Sequence, residues 1–224
     1  MEFPTERLTV TGLTRLAELP EPGGEASERR RLAEAYGLDP DAAWIHFISQ
    51  AISALTGGHA GARTSLGYSE RDALDGLAAA LPAITVRLGR PAVLVLRFHP
   101  REEVRNAASS AVVDRENTAL AFIRAADVVV GISGGNLLDA YALGRPTVSF
   151  QPQALGRDDC ILSSRAIIAR VTHSDALPDH IAACLEGRVA PSPTFSRAGG
   201  IAAAESTARL ALTMAAEGRS HAAA

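Results

Sequence analysis

From Ala42 onward the chain alternates short runs that are apolar throughout with longer stretches of helical spacing. The runs are Ala42–Ile48, Pro91–Phe98, Ala111–Val113, Val128–Gly131 and the stretch from Gly144-Arg-Pro146 to Phe150. Runs of roughly four to eight apolar residues between turn signals describe strands covered on both faces. The intervening spacing predicts helices over Ser27–Tyr36, stopped by Gly37, over Glu70 to about Leu81, with Leu74, Leu77, Ala78 and Leu81 on one face, and over Glu116 to about Ala126. A short amphipathic helix follows Gly135, and further helices span about Leu177 to Glu186 and Ile201 to Glu217. Ala166–Val171 reads equally as a strand or as the end of a helix. At the amino end, Leu8-Thr-Val-Thr-Gly12 looks like a short strand, followed by a polar link from Pro20 to Gly24.

With regular strand–helix alternation and no tight hairpin signal, the pattern predicts an α/β fold, a doubly wound, Rossmann-like parallel sheet with helices on both faces. The expected organisation is an entry strand and linker over 1–26, one Rossmann-like domain over 27–217 and a frayed tail over 218–224. The loop Thr56–Thr64, with His59 and Arg63, reads as a surface loop placed where it could fold over a ligand.

Composition narrows the function. The 224 residues are 47% hydrophobic, enough for a sizeable core, and carry a net charge of −3. That balance leaves no basic footprint for nucleic acid or anionic membrane, and small molecules fit better. No run approaches the roughly 18 apolar residues of a membrane span, and the first residues lack a signal-peptide pattern, so a cytoplasmic location is expected. Cys160 and Cys184 stand apart without metal-ligand spacing and read as free thiols. Every basic residue is arginine, a side chain suited to phosphate.

The candidate chemistry lies in Val128-Val-Val-Gly-Ile-Ser-Gly-Gly-Asn-Leu-Leu-Asp139. Here a buried strand ends in Ser133, Gly134 and Gly135, and a helix starts at once. Glycines let an anion approach the backbone, and the unpaired N–H groups of a helix's first turn favour negative charge. Three further residues end strands on the same side: Gln50 after the first run, and Arg97 and His99 at the tip of the second, where Pro100 blocks continuation. Each has a plainer reading. Ser133 could serve as an N-cap, Asp139 as a helix-surface residue, His99 as a strand end, and Arg97 as the partner of a carboxylate. His46, inside an apolar strand, reads as a core histidine.

Together, Ala126-Asp-Val-Val-Val-Gly-x-Ser-Gly-Gly, Asp139-Ala140, Gly144 and Pro146, and the strand ending in His99-Pro100, resemble the carboxyl-terminal, nucleotide-sugar-binding half of GT-B-fold glycosyltransferases. Non-hydrolysing UDP-N-acetylglucosamine 2-epimerases share that half. The resemblance implies that Ser133, Gly134, Gly135 and Asn136 hold the diphosphate of a UDP- or CMP-sugar, with Gln50, Arg97 and His99 nearby, and that Asp139 takes the ribose hydroxyls, a position usually glutamate in the family. The nucleotide sugar is then a substrate, with no cofactor or metal, and the catalytic residue is left unassigned. A GT-B enzyme also has an amino-terminal, acceptor-binding domain that has no counterpart here, which implies a separate acceptor-binding partner or a homo-oligomer.

Two other classes compete. Gly131-Ile-Ser-Gly-Gly135 also satisfies G-x-S-x-G, the nucleophile elbow of serine hydrolases, with Asp158 or Asp159 and His173 or His180 available to complete a triad. That reading lacks an upstream oxyanion segment and leaves His99-Pro100 unexplained. A non-catalytic ligand-binding or interaction module is the other.

Overall fold

A computed structural model of the chain describes residues 8–55, 65–102, 111–186 and 195–222; the loop Thr56–Thr64, with His59 and Arg63, lies outside them. By internal contacts the chain divides into two units, Gly23–Ala190 and Met1–Pro22 together with Pro191–Ala224.

The larger unit is built on six parallel strands: β1 (Ala43–Ile48), β2 (Ala92–Arg97), β3 (Val112–Val113), β4 (Val128–Gly131), β5 (Thr147–Phe150) and β6 (Ala169–Val171). Their order is β3-β2-β1-β4-β5-β6. The chain winds outward from β1 to β3, then returns to the other side of β1 with β4, so the direction of winding reverses between β1 and β4. The register there pairs Ile45 with Val128 and Ile48 with Gly131. Only the last three residues of Ala166–Val171 form a strand, β6; a separate short helix, α6 (Ile161–Ser164), precedes that segment, and another, α2 (Ile52–Leu55), follows β1.

Side chains alternate across the sheet, as the pleat requires. Ile45 and Phe47 of β1 join Leu94, Leu96, Val128, Val130 and Phe150 under one helical layer. That layer is α3 (Glu70–Leu88) and α7 (Leu177–Glu186), which contribute Leu74, Leu77, Ile84, Leu177 and Ile181. Trp44 faces the opposite way, with Val95, Leu32 of α1 (Glu25–Tyr36) and Phe122 of α4 (Leu120–Ala125). Ile48 joins Val129, Ile123 and Leu137 there, the last from α5 (Gly135–Ala142). A doubly wound α/β sheet is therefore the architecture, and both faces of its strands are buried for that reason. α1 ends where Gly37 takes a left-handed conformation, at φ 63°.

Two helices of this unit differ from expectation. α3 does not stop near Leu81 but runs through Pro82 to Leu88. A proline inside a helix removes one hydrogen bond and costs on the order of 3 kcal/mol. Here the apolar stripe continues past it, and buried Leu77, Ala80 and Ile84 offset that cost. The Ser69–Asp72 capping box fixes the helix start and Gly89, at φ 65°, its end. α4 begins at Leu120 rather than Glu116. Asp114 accepts the Glu116 N–H at 2.8 Å, and Arg97 holds the carbonyls of Glu116 and Asn117 at 3.0 and 3.3 Å, so those residues form a turn.

In the smaller unit, residues 8–13 are not a strand. No strand of this unit lies alongside them among the described residues, and Val10 is 94% exposed. A 3-10 turn, Thr14–Glu18, packs instead on α8 (Arg197–Ala222). α8 starts before Ile201 and includes Gly199 and Gly200, although glycine weakens a helix. Ser196 Oγ accepts the Gly199 N–H at 3.2 Å at its start. A Cβ on Gly200 would stand 2.2 Å from the Ala17 nitrogen, so the turn can lie against α8 only where the side chain is absent. The backbone beyond Gly218 continues α8 as far as Ala222. Among the described residues no helix is long and apolar enough to cross a membrane, and Cys160 and Cys184 are free.

Candidate functional site

β1 and β4 lie side by side and their exits part to different faces, which leaves a crevice at their carboxyl ends. Gln50 leaves β1 and Ser133 leaves β4, and the two meet across it. Gln50 Oε1 accepts the Ser133 N–H at 3.1 Å and the Ser133 hydroxyl at 2.7 Å. The turn is further pinned from below, where Ser149 Oγ donates to the Ile132 carbonyl at 2.5 Å.

Each glycine of the turn has its own reason. A Cβ on Gly131 would meet Leu137 Cδ2 at 2.9 Å and the Ile48 carbonyl at 3.3 Å. Gly134 has space around it, with nothing nearer than the Gln50 amide at 3.9 Å, but its φ of 108° is closed to most side chains. Gly134 precedes α5, and no side chain caps that helix. The peptide N–H groups of Gly135 and Asn136 belong to its first turn and project from the crevice end of the helix. Asp139 is one turn further on and only 4% exposed, enclosed by the protein.

The β2 exit forms the neighbouring part of this edge. Glu102 accepts the His99 N–H at 2.8 Å and donates its own N–H to the His99 carbonyl at 3.0 Å. Burial raises the Glu102 pKa, hydrogen bonds from His99 and Ser49 oppose the rise, and the charge of Glu70 adds to it. His99 Nδ1 accepts the Arg101 N–H at 3.1 Å. A neutral imidazole whose Nδ1 accepts carries its proton on Nε2, so His99 presents an Nε2–H donor.

Arg97 pairs with a carboxylate, as its place in an apolar strand allowed. Its guanidinium lies 3.0 Å from Asp114 Oδ2. His46, fully enclosed on β1, brings Nε2 to 3.3 Å from the same oxygen without the alignment of a hydrogen bond. Burial depresses the His46 pKa and keeps the ring neutral, more than offsetting Asp114. Burial would raise Asp114, but His46, the Glu116 N–H and Arg97 together hold it below its ordinary value. Arg97, Phe98, Pro100, Val113 and Arg115 line an open depression of about 530 Å³ on this side of the edge.

A second polar group closes the other flank. Gln151 donates to Ser149 Oγ at 2.9 Å and to Asp158 at 2.7 Å, and accepts from Arg170 at 3.1 Å. Asp158 is thereby held below its ordinary pKa: burial works against the charge, and hydrogen bonds from Gln151, Ser163 and the Cys160 N–H outweigh it. The sequence marks Asp158 only as a possible triad acid. Glu102 and Asp114 were passed over. The Glu102 spacing, three residues after a strand-end residue whose N–H needs an acceptor, is the one signal that could have found it.

The serine hydrolase arrangement does not form among the described residues. Ser133 Oγ is bonded to Gln50, Asp158 to Gln151, and His173 Nδ1 is 3.0 Å from Thr172 Oγ1. His180 lies within α7. No group of three His, Cys, Asp or Glu side chains that could hold a metal ion occurs among the described residues.

No protein-family model matches the sequence, and no curated protein sequence does either. Among solved structures, a variant of the wall teichoic acid polymerase TagF is similar over 93% of this chain and 54% of its own, at 15% identity and a TM-score of 0.48. The E. coli ADP-heptose lipopolysaccharide heptosyltransferase II is similar over 71% of this chain and 51% of its own, at 14% identity and a TM-score of 0.44. The spinosyn rhamnosyltransferase SpnG is similar over 74% and 41%, at 15% identity and a TM-score of 0.41. These are likenesses at low identity, and the chain spans about half the length of each of those structures or less.

Proposed function

We propose that the crevice between the β1 and β4 exits binds the diphosphate of a nucleotide sugar, and that the chain is the donor-binding part of a GT-B-type glycosyltransferase. The observation that carries this reading is the Gln50–Ser133 lock. It holds a glycine turn rigid across the point where the sheet reverses its winding, with an uncapped helix behind it. Rigid donors aimed at one place cost no reorganisation when charge develops there.

As the sugar departs, negative charge grows on the leaving diphosphate. The N–H groups of Gly134, Gly135 and Asn136 and the positive end of α5 offset it, and the His99 Nε2–H supplies a further donor from the next strand. Gln50 and Arg97 act indirectly, Gln50 by positioning Ser133 and Arg97 by holding the 114–117 turn. With Asp139 enclosed, the proposal assigns the ribose no residue. The developing charge is met by hydrogen bonds alone, so transfer by this route is metal-independent. The proposal places the acceptor and the base that activates it outside the Gly23–Ala190 unit, for example on a separate acceptor-binding subunit or another copy of the chain.

Thermal-shift measurement against UDP, CMP, CDP, GDP and dTDP and their sugars tests the reading, because a ligand that binds only the folded state raises its stability. One nucleotide series should shift the transition, and Gly134→Val should abolish the shift while leaving the circular dichroism spectrum intact. An unchanged shift in that variant would remove the site from this turn. Stoichiometric labelling of Ser133 by a fluorophosphonate would replace the reading with a hydrolase.

A further inference from the structure

The opposite edge of the sheet, at the amino ends of the strands, holds a polar depression of about 330 Å³ that the proposed donor site does not use. Four arginines line it, Arg29, Arg90, Arg124 and Arg145, against three carboxylates, Glu25, Asp41 and Asp127, which leaves one positive charge in excess. Two of the arginines are committed. Arg29 and Arg90 both bind Asp127, at 3.0 and 2.9 Å, and Arg29 also donates to the Pro40, Ala42 and Ala125 carbonyls.

Arg124 is different. Among the described residues its guanidinium hydrogen-bonds only to the Gly23 carbonyl, a neutral acceptor, and its Nε is shut away from solvent without a hydrogen-bond partner. Among the described residues no carboxylate forms an ion pair with it. On the same wall Glu25 accepts the Gly23 N–H at 3.1 Å and lies 3.9 Å from Arg145. Backbone N–H groups of Glu25 and Gly23, then Arg145 and Arg124, keep that carboxyl below its ordinary pKa. Glu25 therefore stands in for an anion at this place, but it acts on Arg124 only through space and forms no ion pair with it.

The ridge Gly144-Arg145-Pro146 that walls this depression also walls a second one of about 390 Å³, whose far side is Tyr141, Ile167 and Ile168. The geometry points to a binding site for an oxyanion that carries an apolar group: the anionic head between Arg124 and Arg145, the apolar body across the ridge on Ile167 and Ile168. A charged head alone would leave the apolar wall wet, and an apolar molecule alone would leave Arg124 without a counter-ion.

Phenyl phosphate is the probe, titrated calorimetrically into the full chain. Saturable binding is expected, with inorganic phosphate weaker by about tenfold because it leaves the apolar wall uncovered. Arg124→Gln should weaken phenyl phosphate by about tenfold or more, the value of one charge-assisted hydrogen bond. Glu25→Gln removes the competing internal carboxylate and should tighten binding severalfold, a gain that misfolding cannot imitate. Gly134→Val, at the other edge of the sheet, should leave the titration unchanged, which separates this site from the donor crevice. Absence of saturable heat, equal affinity for inorganic phosphate, or an Arg124→Gln protein that binds as the parent does would each overturn the assignment.

Discussion

The amide oxygen of Gln50 accepts two hydrogen bonds from Ser133, one from its N–H and one from its hydroxyl, although 83 residues separate them in the chain. Strands β1 and β4 are thus tied not only by their ladder but at the tips, where the backbone would otherwise be free to splay. Replacing Gln50 by Ala should leave both Ser133 donors without their acceptor and cost about 1–3 kcal/mol. Gln50→Glu keeps the acceptor and should keep most of the stability. Urea unfolding of the two variants, with calorimetry for the bound nucleotide, checks both halves of the statement.

Gly131 and Leu137 should behave as a coupled pair. Gly131→Ala sets a methyl 2.9 Å from Leu137 Cδ2 and should destabilise by about 1–3 kcal/mol. In the Leu137→Ala background the methyl has somewhere to go, and the same change should cost much less. A double-mutant cycle that comes out additive would mean that the Ile48 carbonyl, not Leu137, limits the space.

Arg97 and Asp114 should show the asymmetry of an enclosed ion pair. Asp114 is fully covered at the side chain, so Arg97→Leu strands its charge and should cost about 3–5 kcal/mol. The double variant Arg97→Leu/Asp114→Leu should recover part of that loss. Equal stability for single and double variants, read from denaturant midpoints, would contradict it.

Acid should unfold the protein partly through His46. Its pKa in the folded chain is depressed below the ordinary 6.5, so below that pH the unfolded chain takes up a proton that the folded one refuses. Stability from this group is complete above the unfolded value and falls as the pH drops through it. Asp114, also depressed, is fully stabilising above its ordinary 3.8 and loses its contribution at lower pH, so the two add in sign but act in separate windows. Unfolding free energies at pH 7 and pH 5 should differ more for the parent than for His46→Gln, and an equal difference would assign the acid sensitivity elsewhere.

The parts that could be read from sequence were those whose burial is two-sided. β1, β2 and β4 are apolar at every or nearly every position because helices cover both faces, and that leaves a mark no loop imitates. The turn at Ser133–Gly135 was equally readable, since adjacent glycines between a strand and a helix have few other uses. Contacts made at a distance left no such mark. Nothing near Pro82 announces that Ile84 keeps α3 going, and nothing near Gly200 announces the backbone of Ala17. Leu8–Gly12 has the composition of a strand, yet a strand is a relation to a neighbour, and in its own unit those residues have none among the described residues. Asp114 and Glu102 belong to the same class: each is defined by the arginine or the turn it serves.

The close seating of Leu16 and Ala17 against Gly200 has a temporal side. Leu16 and Ala17 are translated before the six strands and Gly200 after them, so the turn at Thr14–Glu18 waits, unpartnered by α8, while those strands emerge. The central sheet can close around β1 during that interval, whereas the turn gains its cover only once translation has passed α8. A chain stalled or cleaved before Arg197 would then keep its parallel sheet and lose the support of Leu16, exposing an apolar amino-terminal segment for quality control to find.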